Sequence, residues 1–173
     1  MHTEQEHTAV LPRLGHYGID GTESTVSFAT RHLFGLAPVR GVLALRGGTV
    51  DITAPLATSM IHAEIETASF RTRNSMRDGS VRAPRFLDQD RYPVMTFVGD
   101  HVDVEHRLVT GVLTVRDVSR PLRLSIVDLT VAPQSFAATA TSRIDRTEFG
   151  VTAARGLAAR YLELTVEVRC VRM

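Results

Sequence analysis

From Glu23 onward the chain alternates apolar and polar residues with period two, in one short segment after another. In "ESTVSFATRH", Val26, Phe28, Thr30 and His32 share one face, and Thr25, Ser27, Ala29 and Arg31 share the other. In "RYLELTVEVRCVR", Leu162, Leu164, Val166, Val168 and Cys170 oppose Tyr161, Glu163, Thr165, Glu167 and Arg169. Successive side chains of a strand point to opposite faces, so these segments read as half-buried strands. "ATSMIHAEIETASF" sets Ile61, Ala63 and Ile65 against His62, Glu64 and Glu66. "SRPLRLSIVDLTVAP" keeps Leu122, Leu124 and Ile126 in phase, and "QSFAATATSRIDR" does the same for Phe136, Ala138, Ala140 and Ile144. "PVMTFVG" and "HVDVEHRLVTGVLTVRD" add further strands, and "VRGVLALRGGTVDI" reads as two strands joined by a hairpin at Gly47-Gly48. No helical pattern runs beyond a few turns. Many strands of similar length, separated by turn signals, fit an antiparallel sandwich or a closed barrel. Closure removes exposed edges, and about eight strands is the size at which a barrel either fills with side chains or encloses one ligand. Periodicity leaves that choice open.

A chain of 173 residues suffices for a single domain with its own core. Residues 1–14 read as a flexible arm and 15–173 as one domain, with order beginning near Tyr17. The formal net charge is +1, and every one of the 20 basic residues is an arginine. So small a net charge supplies no electrostatic reason to expect a nucleic acid or an anionic membrane as partner. The one cysteine, Cys170, falls in the apolar register of the last strand and reads as a small buried hydrophobe. The N-terminal "MHTEQEHTAVLPRLGHYG" has two glutamates and no apolar run of signal-peptide length, and no later segment reaches transmembrane length. The expectation is a soluble cytoplasmic protein. His2, His7 and His16 are scattered along the arm without the spacing of a metal site.

No G-x-S-x-G elbow, P-loop, dinucleotide fingerprint or H-E-x-x-H occurs. Of the histidines within strands, His62 lies on a polar face. His32 lies in the apolar register, where it would meet a ligand head group, act as a base, or sit in the core beside an acceptor. Asp88 and Asp90, two residues apart, point away from each other and make a poor acid–base pair. The phenylalanines at 28, 34, 70, 86, 97, 136 and 149 are spread over strands and loops. Phe34, Phe70 and Phe86 fall where strands give way to loops, the position of a barrel mouth.

Four blocks together resemble one family: "YGIDGTESTVSFATRHL", "SFRTRNSMRDGSVRAPRFLDQDRYPVMTF", "GVLTVRDVSRPL" and "SRIDRTEFGV". In that order they look like the YceI-like family of lipocalin-shaped isoprenoid-binding proteins, from about Tyr17 to Arg169. The matching positions are Asp20, Ser24, Val26, Phe28, His32 and Leu33; Arg77, Asp78, Phe86, Tyr92, Pro93, Thr96 and Phe97; Gly111, Leu113, Thr114, Arg120 and Pro121; and Arg146, Phe149 and Gly150. The resemblance implies an all-β fold: an extended eight-stranded antiparallel lipocalin-like barrel with a short helical insertion at about 71–91. It implies an apolar tunnel for a polyisoprenoid or isoprenoid quinone, no established catalysis and no other cofactor, and a possible homodimer. Ligand contacts are expected from Phe28, His32, Phe34, Ile61, Phe70, Met76, Arg77, Asp78, Phe86, Met95, Phe97, Leu113, Phe136 and Phe149. The chain departs from the family pattern at Glu23, at Gly79-Ser80-Val81 and at Asp117, so the head-group end is expected to differ more than the barrel.

The insertion interrupts the alternation from Arg71 to Arg91. Asn74 or Ser75 can cap a short helix, Gly79 can end it, and Pro84 can open a second helical turn that Pro93 stops. Such a pair would lid the barrel, with Met76, Val81, Phe86 and Leu87 facing inward and arginines at the rim. Arg77 and Asp78 either anchor the lid, to a carboxylate and to backbone N–H groups respectively, or Arg77 with Arg73 receives a head group. Arg146 is expected to tie a strand end to a nearby carboxylate. The expected function is non-enzymatic binding, storage or transport of a long isoprenoid lipid. The alternatives are an enzyme acting on a small amphiphile, with His32 as base and Arg77 as electrostatic stabiliser, or a filled barrel serving as an interaction module.

Overall fold

The computed structural model describes residues 10–30, 38–153 and 159–173. Among the described residues, nine strands and one α-helix follow in chain order. They are β1 (Gly15–Ile19), β2 (Thr25–Thr30), β3 (Arg40–Ile52), β4 (Met60–Glu66), α1 (Ser75–Arg82), β5 (Val94–Asp103), β6 (Leu108–Val115), β7 (Val118–Ala132), β8 (Ser135–Asp145) and β9 (Tyr161–Arg172). Each strand from β2 to β9 pairs antiparallel with the next, and β9 pairs back onto β2, which closes the barrel.

The nine strands make the expected eight staves. β2 lies between Arg40–Ala44 of β3 and Leu162–Glu167 of β9, while β1 lies between Thr49–Ile52 of β3 and Cys170–Arg172 of β9. Both occupy the same slot, one above the other. The jog between them is a single 3₁₀ turn at Gly21–Glu23, capped by Asp20, whose Oδ1 accepts from the Thr22 N–H at 3.0 Å and the Thr22 hydroxyl at 2.7 Å. Gly21 is needed there, because a Cβ would stand 2.6 Å from the Leu45 carbonyl oxygen.

Gly47 and Gly48 do not form a hairpin; β3 runs through them without a break. They sit where β3 leaves β2 and takes up β1, and its register with β4 shifts between Leu45 and Gly47. Their φ angles are +154° and +151°. A Cβ on Gly48 would lie 2.0 Å from the His62 carbonyl oxygen. The pair directly follows a bulge at Arg46 and helps bend a long strand around the barrel, which is the other use strands make of glycine.

The insertion after β4 also differs from expectation. Asn74 caps α1, its side chain accepting from the Arg77 N–H at 3.0 Å, but the helix passes through Gly79 and ends only at Arg82. No second helix follows. Residues 83–92 fold into consecutive turns, held by Phe86 N–H to the Ala83 carbonyl and Leu87 N–H to the Val81 carbonyl. Asp88 then adopts a left-handed φ of +51°, which stops any helix from propagating. By the strand order, this insertion shares one end of the barrel with the β6–β7 turn and the β8–β9 connection. Residues 10–14, the β3–β4 connection and the β5–β6 and β7–β8 turns lie at the opposite end.

Candidate functional site: the barrel lumen

The inward-facing residues of the staves do not meet at the centre. They surround a cavity of about 1220 Å³, larger than the several hundred Å³ typical of a small-molecule site. The in-phase sets read from the alternation line it: Val26 and Phe28 of β2, Ile61, Ala63 and Ile65 of β4, Leu122, Leu124 and Ile126 of β7, and Leu162, Leu164, Val166, Val168 and Cys170 of β9. Tyr17 supports this wall from β1, packing edge-to-face on Phe136 at 5.0 Å and donating its hydroxyl to the Arg13 carbonyl at 2.8 Å.

Among the described residues, charge enters the lining only at the two ends. Arg77 and Arg146 stand at the insertion end, and Asp103, Arg107 and Asp128 at the other. Between them the wall is almost wholly aliphatic and aromatic. Cys170, 0% exposed, belongs to this wall, and burial pushes its thiol up to about 12, so it is a hydrophobe rather than a nucleophile at neutral pH.

Of the fourteen residues singled out by sequence, Phe28, Ile61, Phe70, Arg77, Phe86, Met95, Phe97, Leu113, Phe136 and Phe149 line the cavity. Phe28 and Phe70 stack at 5.1 Å near the insertion end. His32 and Phe34 lie outside the described residues. Met76 does not face inward; it is 85% exposed. The reason is helical phase: Arg77, Ser80 and Val81, at i, i+3 and i+4, turn to the lumen, which leaves Met76 and Gly79 on the outer side. Val81, Phe86 and Leu87 face the lumen as expected.

Asp78 is 5% exposed and is absent from the lining. Its Oδ1 accepts from the Thr72 N–H at 2.9 Å and the Thr72 hydroxyl at 2.7 Å. Burial alone would raise its pKa, but the bonds from Thr72 and the charges of Arg82 and Arg77 hold it below the ordinary carboxylate value. One turn along the same helix face, Arg82 donates from Nε and Nη2 to the Phe70 carbonyl at 2.9 and 2.6 Å. Asp78 and Arg82 are therefore the anchors of the lid. Arg77 is not anchored to a carboxylate: among the described residues its guanidinium makes no hydrogen bond or ion pair.

Arg146 does fix a strand end, but through carbonyls. Its Nε donates to the Ala159 carbonyl at 2.8 Å and Nη1 to the Val151 carbonyl at 2.7 Å, while its guanidinium lies 5.8 Å from the Phe86 ring centre. The carboxylate nearby, Asp145, is taken by Arg160, with Nε and Nη2 both at 2.9 Å.

The far end was not foreseen. Asp103, Arg107 and Asp128 gather there, and Val10, Leu11 and Pro12 of the N-terminal arm join the lining. One signal in the sequence marks it: the apolar positions of β7 change parity from Leu122, Leu124 and Ile126 to Leu129 and Val131. That parity change is the bulge between Ile126 and Asp128. Among the described residues no group of three histidine, cysteine or acidic side chains could hold a metal ion, and no helix is long and apolar enough to cross a membrane.

A profile described as the YceI-like domain matches residues 17–171. A UPF0312 protein of Enterobacter sp. strain 638 is 28% identical over 167 residues, covering 90% of this chain and 86% of that protein. Protein YceI of Shigella flexneri is 32% identical over 114 residues, 62% of this chain and 59% of that protein. Among solved structures, BcnA of Burkholderia cenocepacia superposes with a TM-score of 0.67 at 19% identity, covering 90% of this chain and 99% of that one. A polyisoprenoid binding domain from Saccharophagus degradans superposes with a TM-score of 0.65 at 14% identity, covering 93% and 100%. These structures share the barrel fold.

Proposed function

This chain belongs to the YceI-like domain family, and we propose that it binds, stores or carries a long isoprenoid lipid or isoprenoid quinone in its lumen, without catalysing a reaction on it. The observation that carries this reading is the continuous apolar cavity of about 1220 Å³, whose charged lining residues, among those described, stand only at its ends. A solved relative of the same fold is described as polyisoprenoid-binding, which supports the ligand class.

Each methylene moved from water into such a wall gains about 0.8 kcal/mol before entropy losses, so a prenyl chain binds through length rather than through many polar contacts. Selectivity then rests on chain length and head group. The head belongs at the insertion end, where Arg77 has donors to offer a carbonyl or an anion. At the far end the two carboxylates Asp103 and Asp128 offset Arg107. The enzymatic alternative centres on His32, which lies outside the described residues, and no other observation favours it. Placement in the cytoplasm is part of the same proposal.

Delipidated protein incubated with an isoprenoid quinone and passed through a desalting column should emerge carrying the quinone absorbance in stoichiometric amount. Ala140→Trp, which fills the lumen from β8, should emerge folded and empty. Equal loading of both proteins, or loading of neither, would contradict lumen binding.

A further inference from the structure

The overall charge of +1 conceals a strongly uneven distribution. The segment from Arg71 to Arg91 holds six arginines against Asp78, Asp88 and Asp90, and Asp78 is buried beneath the helix. Arg71, Arg73, Arg77, Arg85 and Arg91 are all exposed, and among the described residues none of them forms an ion pair. Arg40, at the start of β3, joins Arg71 and Arg73 in lining a groove of about 440 Å³ on the barrel's outer wall, with Glu163 as its one acidic residue. The opposite end is different in sign: Asp100, Asp103 and Glu105 flank the β5–β6 turn and Asp128 lies close by, against Arg107.

In the middle of the basic end, Met76 projects outward. At 85% it is the most exposed of the large hydrophobic side chains among the described residues. It precedes Arg77 on the helix whose other side lines the lumen mouth. An exposed apolar side chain in a segment of exposed arginines that lie outside any ion pair among the described residues is poorly suited to water alone. It suits a surface with anionic groups outside and apolar material just beneath.

We propose that the insertion end docks on an anionic lipid bilayer, with Arg71, Arg73 and Arg85 on lipid phosphates and Met76 inserted among the acyl chains. The acidic far end then orients the barrel upright, mouth to the membrane. This rests on the lumen reading above and gives it a route, because a prenyl lipid resident in the bilayer meets the mouth without crossing water. Arginine suits this role through its planar fork, which takes a phosphate in bidentate fashion.

The test separates docking from lumen binding. Full-length protein is sedimented with vesicles of phosphatidylcholine alone and with vesicles in which part of it is replaced by phosphatidylglycerol, at low and high salt. In parallel, loading with an isoprenoid quinone is measured from detergent solution, with no bilayer present. Binding is expected on the phosphatidylglycerol vesicles only, and it should disappear at high salt. The double variant Arg71→Glu, Arg85→Glu should weaken it more than about tenfold, and Met76→Ser should weaken it further, while both variants load from detergent as the native chain does. Equal binding to neutral vesicles, or unchanged binding of the double variant, overturns the docking proposal. Failure of the native chain to load from detergent overturns the lumen reading and leaves the vesicle result to decide docking independently.

Discussion

Single residues set how this barrel bends and what its wall is made of. Gly48 is the sharpest case, because its φ is +151° and a Cβ there would lie 2.0 Å from a backbone oxygen. Gly48→Ala should destabilise the protein by about 3 kcal/mol, the upper end for overpacking, read from the urea midpoint at unchanged slope. Gly47, with a similar φ of +154° but open space around its Cβ position, should cost less on the same substitution. Cys170 tests the wall from inside. With its thiol pushed up to about 12 and no exposed surface, it should resist iodoacetamide at pH 8 in native protein and react promptly in denaturant. Rapid native labelling would mean that the wall near β9 opens readily. The alternation placed these lumen residues correctly because a strand's two faces leave each side chain one choice. It could not distinguish a glycine pair that turns a chain back from one that bends it, since both uses need the same freedom of φ.

At the scale of elements, the lid is held by caps and anchors rather than by a large interface. Gly79 lies inside α1 with nothing within 4 Å of a Cβ. Gly79→Ala should therefore stabilise the helix by about 1 kcal/mol, visible as slower amide exchange across residues 75–82 and slower release of a loaded quinone. The carboxylate anchors make the structure sensitive to acid. Asp20 and Asp103 are held below the ordinary carboxylate pKa chiefly by hydrogen bonds, from Thr22 and His106 respectively. For Asp78 and Asp145 burial pushes the pKa up, and bonds from Thr72 and from Thr147 with Arg160 more than reverse it. A depressed native pKa means that the unfolded chain takes up protons first. The stability these groups add is complete above the unfolded value of about 3.9 and is lost as pH falls through the lower native values. Thermal midpoints should accordingly hold steady from neutral pH to about 5 and drop below about 4, with a shallower drop in Asp78→Asn. The lid was legible in the sequence as an insertion with an Asn74 cap. Its length and the outward side of Met76 were not, because Gly79 serves a helix interior as readily as a helix end, and a single turn carries too few residues to fix its phase.

For the whole molecule, the closed ring of eight staves followed from the number and spacing of alternating segments together with the four family blocks. β1 escaped that reading, since "GHYGI" is short, carries two glycines and shares its stave with β2. Whether the ring would be filled or hollow was beyond periodicity, because the same inward Leu, Val and Phe residues can meet at the centre or stop short of it. In this chain they stop short, and the lumen follows. The charged far end was missed for a related reason: bulges at Leu45/Gly47, Gly99/His101 and Ile126/Asp128 change the parity of each strand partway along. A reading that keeps one parity per strand loses the part of each of these three strands that lies beyond its bulge. A prenyl lipid held in the hollow would show itself in the mass spectrum of an organic extract of the purified protein. A long isoprenoid or isoprenoid quinone should be recovered from the native chain and be absent from Ala140→Trp prepared alongside. Repeated extracts without any long apolar molecule, from native protein that also fails to take up added quinone, would contradict lumen binding.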